Sequence, residues 1–382
     1  MQSQYNIVVI AGEASGEAHA ARMIAALKQH DKTINVRGIG GDKMREAGAE
    51  ILVDFSELAV MGLVEVLKRY RQLKAIFNQM VEVLKTEQPD LLVLVDYPGF
   101  NLKLAKQAKK LGIPVLYYIS PKVWAWRAGR VKTIKQVVDQ MAVLFPFEVP
   151  IYEEVNLPVN CVGHPLVDAV KRTLTTEQAK QQLEFDPSQQ VLGLFPGSRR
   201  SEVQVLLPIM MDAAEQLHQK NPKLNIVVPL AQGLDRRLFT DILATTHLNI
   251  DLVDSDFYQL TSACDAIVAA SGTVTLEIAL LGVPHFICYR VSPLTYKIMS
   301  RLVRIPYVGL CNIVTDEVLI DEVLQNDVTA AHLAEKLTPL LNDENSKANA
   351  ETIRQQVLSS LGPSGGADNA AKLIIEMLHK HD

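Results

Sequence analysis

Residues 265–287 read DAIVAASGTVTLEIALLGVPHFI, and this stretch decides the architecture because it holds a strand, a tight turn, a helix and the next strand in succession. Ala266 to Ala270 is an apolar run too short for a helix, which suits a strand buried on both faces of a parallel sheet. Ser271-Gly272-Thr273 then breaks the run. Gly272 lets the backbone approach a ligand, the two hydroxyls offer caps, and residues 274–281 open a helix whose free N–H groups and positive dipole end attract an anion. Glu277, one turn further on, points back toward the same opening, where a carboxylate can accept two hydrogen bonds from a ribose diol. An ordinary capped helix with Glu277 as a surface charge would read the same way locally.

The pattern repeats outward from there. Residues 191–195 form a strand, Pro196-Gly197-Ser198-Arg199-Arg200-Ser201 a turn, 202–220 a helix and 225–229 a strand, with 250–253 and 286–289 continuing the sheet. Ser198 and Arg199 sit on a glycine turn ahead of a helix, and the guanidinium there can hold a phosphate bidentately without a metal. In the first half, 7–11, 35–39, 90–95, 115–119, 140–145 and 159–162 read as buried strands between helices. The chain is therefore expected to be α/β, with two doubly wound Rossmann-like domains facing across a cleft. Gly163-His164-Pro165 marks the crossing, which puts the domains at 1–165 and 166–349, with a last helix from about 350 to 382 packing back on the first.

The first-half loops carry polar residues at strand ends, where open parallel sheets place ligands. Gly12-Glu13-Ala14-Ser15-Gly16-Glu17 occupies a phosphate-loop position without the three glycines of a dinucleotide fingerprint, and its two carboxylates repel a pyrophosphate. Glu13, Ser15 and Gly16 suit a hydroxyl-rich ligand better, although a capped turn with Ser15 as cap fits too. Asp96 ends the strand 90–95 and is a candidate general base, or else ties down its own turn, with Asn101 as cap of a helix 102–111. Residues 120–127, SPKVWAWR, hold both tryptophans and form either a binding wall or a satellite core.

Two stretches have the composition of a surface that dips into anionic lipid. In 59–85 an amphipathic helix leaves Val60, Met61 and Val64 over as an extra apolar patch beside Lys68 and Arg69, and in 297–304 Lys297, Arg301 and Arg304 alternate with apolar residues. A plain solvated helix face is the alternative. The 382 residues are 48% hydrophobic, enough for two cores, and the net charge of -5 argues against a nucleic-acid partner. Four scattered cysteines without metal-ligand spacing disfavour zinc and disulfides, and the lack of a signal or an 18-residue apolar span predicts a cytoplasmic protein.

Six motifs occurring in order over nearly the whole chain carry a family resemblance: GEASGE at 12–17, ELAVMGLVEVL at 57–67, DYPGFN at 96–101, SPKVWAWR at 120–127, PGSRRSEV at 196–203 and ASGTVTLE at 270–277. Together they resemble the lipid-A-disaccharide synthase family. The resemblance implies an inverting, metal-independent GT-B glycosyltransferase without a cofactor. It would join UDP-2,3-diacylglucosamine to 2,3-diacylglucosamine 1-phosphate at the cytoplasmic face of the inner membrane, releasing UDP; a homodimer is left open. By the same resemblance Asp96 matches the general base and Arg199 the diphosphate contact. Ser198, Ser271, Gly272, Thr273, Glu277 and Asn312 fall on the donor side, and Glu13, Ser15 and Asn312 match polar positions important for activity. Gly99 stands where some members carry an acidic residue, and Glu17 stands for a more usual aspartate. A UDP-sugar 2-epimerase of the same fold, and a peripheral membrane protein that binds a nucleotide sugar without turning it over, are the alternatives.

Overall fold

The computed structural model describes residues 5–58, 63–125, 129–231, 233–292, 296–297 and 306–380, with 63–70 described as backbone only. The chain forms two compact units, Met1–Asp168 with Leu361–Asp382, and Ala169–Ser360.

The first unit is built on seven strands: β1 (Asn6–Ala11), β2 (Asn35–Gly40), β3 (Glu50–Asp54), β4 (Leu91–Val95), β5 (Val115–Tyr118), β6 (Gln140–Val143) and β7 (Val159–Cys161). They pair in parallel in the order β3-β2-β1-β4-β5-β6-β7. The second unit holds β8 (Val191–Phe195), β9 (Asn225–Pro229), β10 (Ile250–Val253), β11 (Ala266–Ala270), β12 (His285–Tyr289) and β13 (Glu322–Leu324), in the order β10-β9-β8-β11-β12-β13. Every pairing is parallel. Helices cover the sheets, so the central strands β1, β4, β8 and β11 are buried almost throughout and need apolar residues at consecutive positions rather than at alternate ones. In each unit the strand order reverses once, between β1 and β4 and between β8 and β11, and this leaves a crevice at the carboxyl ends of those two strands.

The expected return of the chain from about residue 350 is narrower than its sequence suggests. The helix Ser346–Ser360 stays in the second unit, packed on the helix Thr273–Leu281 and tied down by Arg172 to Glu351 (2.9 Å) and Lys347 to Asp265 (3.2 Å). Only the helix Gly366–His379 joins the first unit, lying along the helix Ala14–His30. Both oxygens of Asp168 accept from Gly365 N at 2.9 Å, and Oδ2 also accepts from Gly366 N at 3.3 Å, which covers that helix's N-terminus with a carboxylate. The boundary accordingly falls after Asp168 rather than after Pro165.

Gly163 has a φ of 94°, and a Cβ there would overlap the carbonyl oxygen of Pro363. Gly163→Ala is expected to lower unfolding free energy by more than about 2 kcal/mol, because the 361–366 turn must shift as well as the backbone strain. Gly112→Ala, at φ 78° with nothing near a Cβ, should lose only about 1 kcal/mol in the same denaturant titration.

Candidate active site

The register of the first sheet puts Ala11 opposite Val95. Gly12-Glu13 and Asp96-Tyr97 therefore leave the sheet side by side at the reversal point. Asp96 and Tyr97 are both left-handed, with φ of 45° and 46°, a conformation costing roughly 1–2 kcal/mol per non-glycine residue. Three backbone contacts hold Asp96 there: its N–H donates to Tyr118 O (3.0 Å), and its carbonyl accepts from the Tyr117 hydroxyl (2.6 Å) and from Asn101 Nδ2 (2.7 Å). Asn101 is thus not the cap of its helix. The helix begins at Pro98, and Asn101 is a fully buried brace beneath the strand tip, also donating to Val95 O (3.2 Å). Gly12 is required by the same turn, since a Cβ there would run into the Tyr97 ring.

Asp96 is half-buried, and its pKa is raised, first by burial and then by the negative charge of Glu13. Lys122 and the Tyr97 amide act the other way. Glu13 occupies the cap position of the helix Ala14–His30 with no side-chain cap bond, and it and Ser15 are exposed. Gly16, in contrast, is buried over Val95, so it supports the loop rather than presenting a surface. Glu17 is also internal, 3% exposed, its carboxylate accepting from Met44 N at 3.0 Å. A Cβ at Gly99 would meet nothing, which leaves open space on the first helical turn beside Asp96.

Neither His164 nor Trp124 lines this crevice as a free polar group. The His164 ring stacks on Phe145 (4.9 Å) and its Nδ1 accepts from Leu166 N; burial and then His19 lower its pKa to about 4, so it is neutral and structural. Trp124 is half-buried, edge-on to Phe147 (5.4 Å), and donates to the buried Glu148 (3.2 Å), whose pKa burial raises to about 7. Trp126 and Arg127 lie outside the described residues.

In the second unit Ala269 pairs with Phe195, so the turns after β8 and β11 emerge together. Ser198 and Arg199 are exposed on the first turn. Arg199 stands at the cap position of the helix Arg200–Lys220, its N–H donating to Glu202 Oε2 (3.2 Å) and its Nη1 to Glu202 Oε1 (3.0 Å). The arginine side chain is 75% exposed and the glutamate 11%, so one edge of the guanidinium is held while the rest faces outward. Gly197, at φ 108°, leaves the room that Glu202 occupies.

On the second turn, Gly272 stands at the cap position of the helix Thr273–Leu281 and no side chain caps it. Of the two hydroxyls expected as caps, that of Ser271 is drawn away to Val308 O (2.8 Å), while one turn further in the Thr275 hydroxyl donates to Gly272 O (2.9 Å). Thr273 is exposed. A Cβ on Gly272 would meet nothing, and its φ of 167° suits any residue, so neither packing nor backbone conformation requires glycine there. Glu277 is half-buried and accepts from the Tyr258 hydroxyl (3.0 Å); burial raises its pKa against that bond.

Asn312 requires a correction. It is wholly buried in a short helix, Leu310–Thr315, its Nδ2 donating to Ile320 O and Glu322 and its Oδ1 accepting from Leu319 N and Ile320 N. With every polar valence spent inside the protein it cannot contact a donor directly, and it acts by holding its loop. Sequence reasoning passed over Glu202, Tyr258 and Glu322, which become significant only through partners brought up by the fold. Val60, Met61, Arg301 and Arg304 lie outside the described residues, as do the side chains of Val64, Lys68 and Arg69.

A family model described as Lipid-A-disaccharide synthetase matches residues 7–375. The lipid-A-disaccharide synthase of Geobacter sulfurreducens is 44% identical over 378 residues, 99% of this chain and 98% of that one. The chain belongs to the lipid-A-disaccharide synthase family. Among solved structures, a calicheamicin glycosyltransferase superposes with a TM-score of 0.60 at 15% identity, covering 100% of both chains. The UDP-GlcNAc 2-epimerase of Neisseria meningitidis does so with 0.59 at 18%, covering 98% of this chain and 100% of that one. These likenesses establish a two-domain GT-B fold, and the epimerase alternative shares only that fold.

For this synthase-family enzyme, neutralising Glu13 removes a charge that opposes ionisation of Asp96. The Asp96 carboxyl should therefore titrate at lower pH in Glu13→Gln, followed by NMR of its carboxyl carbon, and a titration that stays in place disproves the coupling. Gly272→Ala should leave stability within about 1 kcal/mol of the parent while weakening UDP binding about ten-fold or more, read by calorimetry.

Proposed function

We propose that this enzyme of lipid A disaccharide synthesis transfers a 2,3-diacylglucosaminyl unit from UDP to the 6-hydroxyl of 2,3-diacylglucosamine 1-phosphate, in a single inverting displacement. The observation that carries the reading is the half-buried Asp96, locked in a left-handed strand tip at the first reversal point with its pKa raised. A carboxylate so placed is a stronger base than an exposed one, and is suited to take the hydroxyl proton as the oxygen attacks the anomeric carbon. UDP leaves with growing negative charge. The uncapped amides after Gly272, together with Arg199, would meet that charge, and Glu277, oriented by Tyr258, would accept from the ribose hydroxyls. The exposed Glu13 and Ser15 would contact hydroxyls on the acceptor side.

No metal or cofactor is assigned a part in this scheme, since a guanidinium and helix amides take the place of a divalent ion at the diphosphate. We assign the enzyme a peripheral seat on the cytoplasmic face of the inner membrane. The basic and apolar patterning of 60–69 and 297–304 supports this, as does the lipid character of both substrates. No helix among the described residues is long and apolar enough to cross a membrane.

Purified protein given both acylated substrates should yield UDP and a β-linked disaccharide, at a rate unchanged by chelator. Asp96→Asn should lower turnover about 10²- to 10⁴-fold while leaving UDP affinity intact. An Asp96→Asn enzyme that kept its rate would remove the base, and loss of activity on chelation would remove the metal-free scheme.

A further inference from the structure

A carboxylate with no part in the proposed chemistry stands behind the diphosphate turn. Glu322 opens β13 and is half-buried. Its oxygens accept from two successive backbone amides, Val308 N on Oε2 (2.9 Å) and Gly309 N on Oε1 (2.8 Å), and Oε1 also accepts from Asn312 Nδ2 (2.8 Å). Val308, gripped by its amide, presents its carbonyl to the Ser271 hydroxyl at 2.8 Å. Gly309 permits this approach, because a Cβ there would overlap Ile287 and press on the glutamate. A continuous path of hydrogen bonds thus joins Glu322 to the first residue of the Ser271-Gly272-Thr273 turn.

We propose that Glu322 is a positioning residue of the donor site: by fixing the amides of 308 and 309 it aims the Val308 carbonyl at Ser271, and so sets where the turn's amides meet the donor diphosphate. This rests on the reading of residues 271–273 as the diphosphate turn. Three donors converge on the two oxygens of Glu322, and an amide side chain keeps one acceptor oxygen in place of two. Gln at this position would turn an NH₂ donor against Val308 N or against the Gly309 and Asn312 donors.

The sign of the effect on donor binding separates this role from a plain charge effect. If Glu322 acted on an anionic donor only through its charge, removing the charge would tighten UDP binding. Positioning predicts the reverse. Glu322→Gln should weaken UDP about ten-fold or more by calorimetry and raise the donor KM by a similar factor, with the acceptor KM unchanged. Ser271→Ala, which cuts the path at its other end and leaves Glu322 in place, should weaken UDP in the same direction. It also serves as the test if Glu322→Gln fails to fold. Combining the two should cost no more than the larger single change.

Equal or tighter UDP binding by folded Glu322→Gln overturns the proposal, as does a fully additive double variant or an unaffected Ser271→Ala. A parent protein that fails to bind UDP, or a Gly272→Ala variant that binds it normally, would instead remove the reading of the turn on which the proposal stands.

Discussion

A parallel strand covered by helices on both faces has no exposed face on which to carry chemistry, so its functional residues must stand at its end. That constraint organises both units. In each sheet the two strands flanking the reversal are buried almost throughout, and the polar candidates follow from them: Glu13 and Asp96 from β1 and β4, Arg199 and Ser271 from β8 and β11. The pairing register fixes the result further. Because Ala11 meets Val95 and Ala269 meets Phe195, the strands of each pair end nearly level and their loops emerge as neighbours.

Level strand ends also account for the backbone strain. Asp96 has to turn away from the sheet immediately after Val95, and two left-handed residues in succession make the turn tight enough for its side chain to remain half-buried beside Glu13. The Tyr117 hydroxyl, the Asn101 amide and the Tyr118 carbonyl hold that geometry against its cost. A carboxylate kept rigid and partly desolvated is less stable in its charged form, so its pKa rises. Strain, burial and basicity at Asp96 are thus consequences of one placement.

This explains which parts of the molecule could be read from the chain. Apolar runs such as 191–195 and 266–270 announce central strands, and a glycine with hydroxyls after such a run announces a helix start open to an anion. The two domains, their doubly wound order and the strand-end candidates were legible on that basis. What was not legible depends on approach across the sequence. The edge strand β13 is three residues long, and Glu322 within it gains meaning only when a loop 13 or 14 residues earlier folds onto its oxygens. Asn312 was expected on the donor side, yet burial and four internal hydrogen bonds make it a brace. Likewise, nothing in 350–360 by itself tells that its partners are Arg172 and the helix at 273 rather than the first sheet.

Carboxylates are unexpectedly frequent around a turn read as a site for a diphosphate: Glu202, Glu277 and Glu322 all lie on its own unit. Free in water they would oppose an anionic donor, but two of the three have their charge answered from within. Glu202 receives the Arg199 amide and guanidinium, and Glu322 receives two backbone amides and Asn312. Among the described residues Glu277 holds one donor, the Tyr258 hydroxyl, and its raised pKa reflects burial with little compensation. The first two therefore act as internal counter-charges that fix their loops. The third keeps unspent acceptor capacity, which is what a pair of sugar hydroxyls requires. Division of labour among these acids follows from how many donors each one already holds.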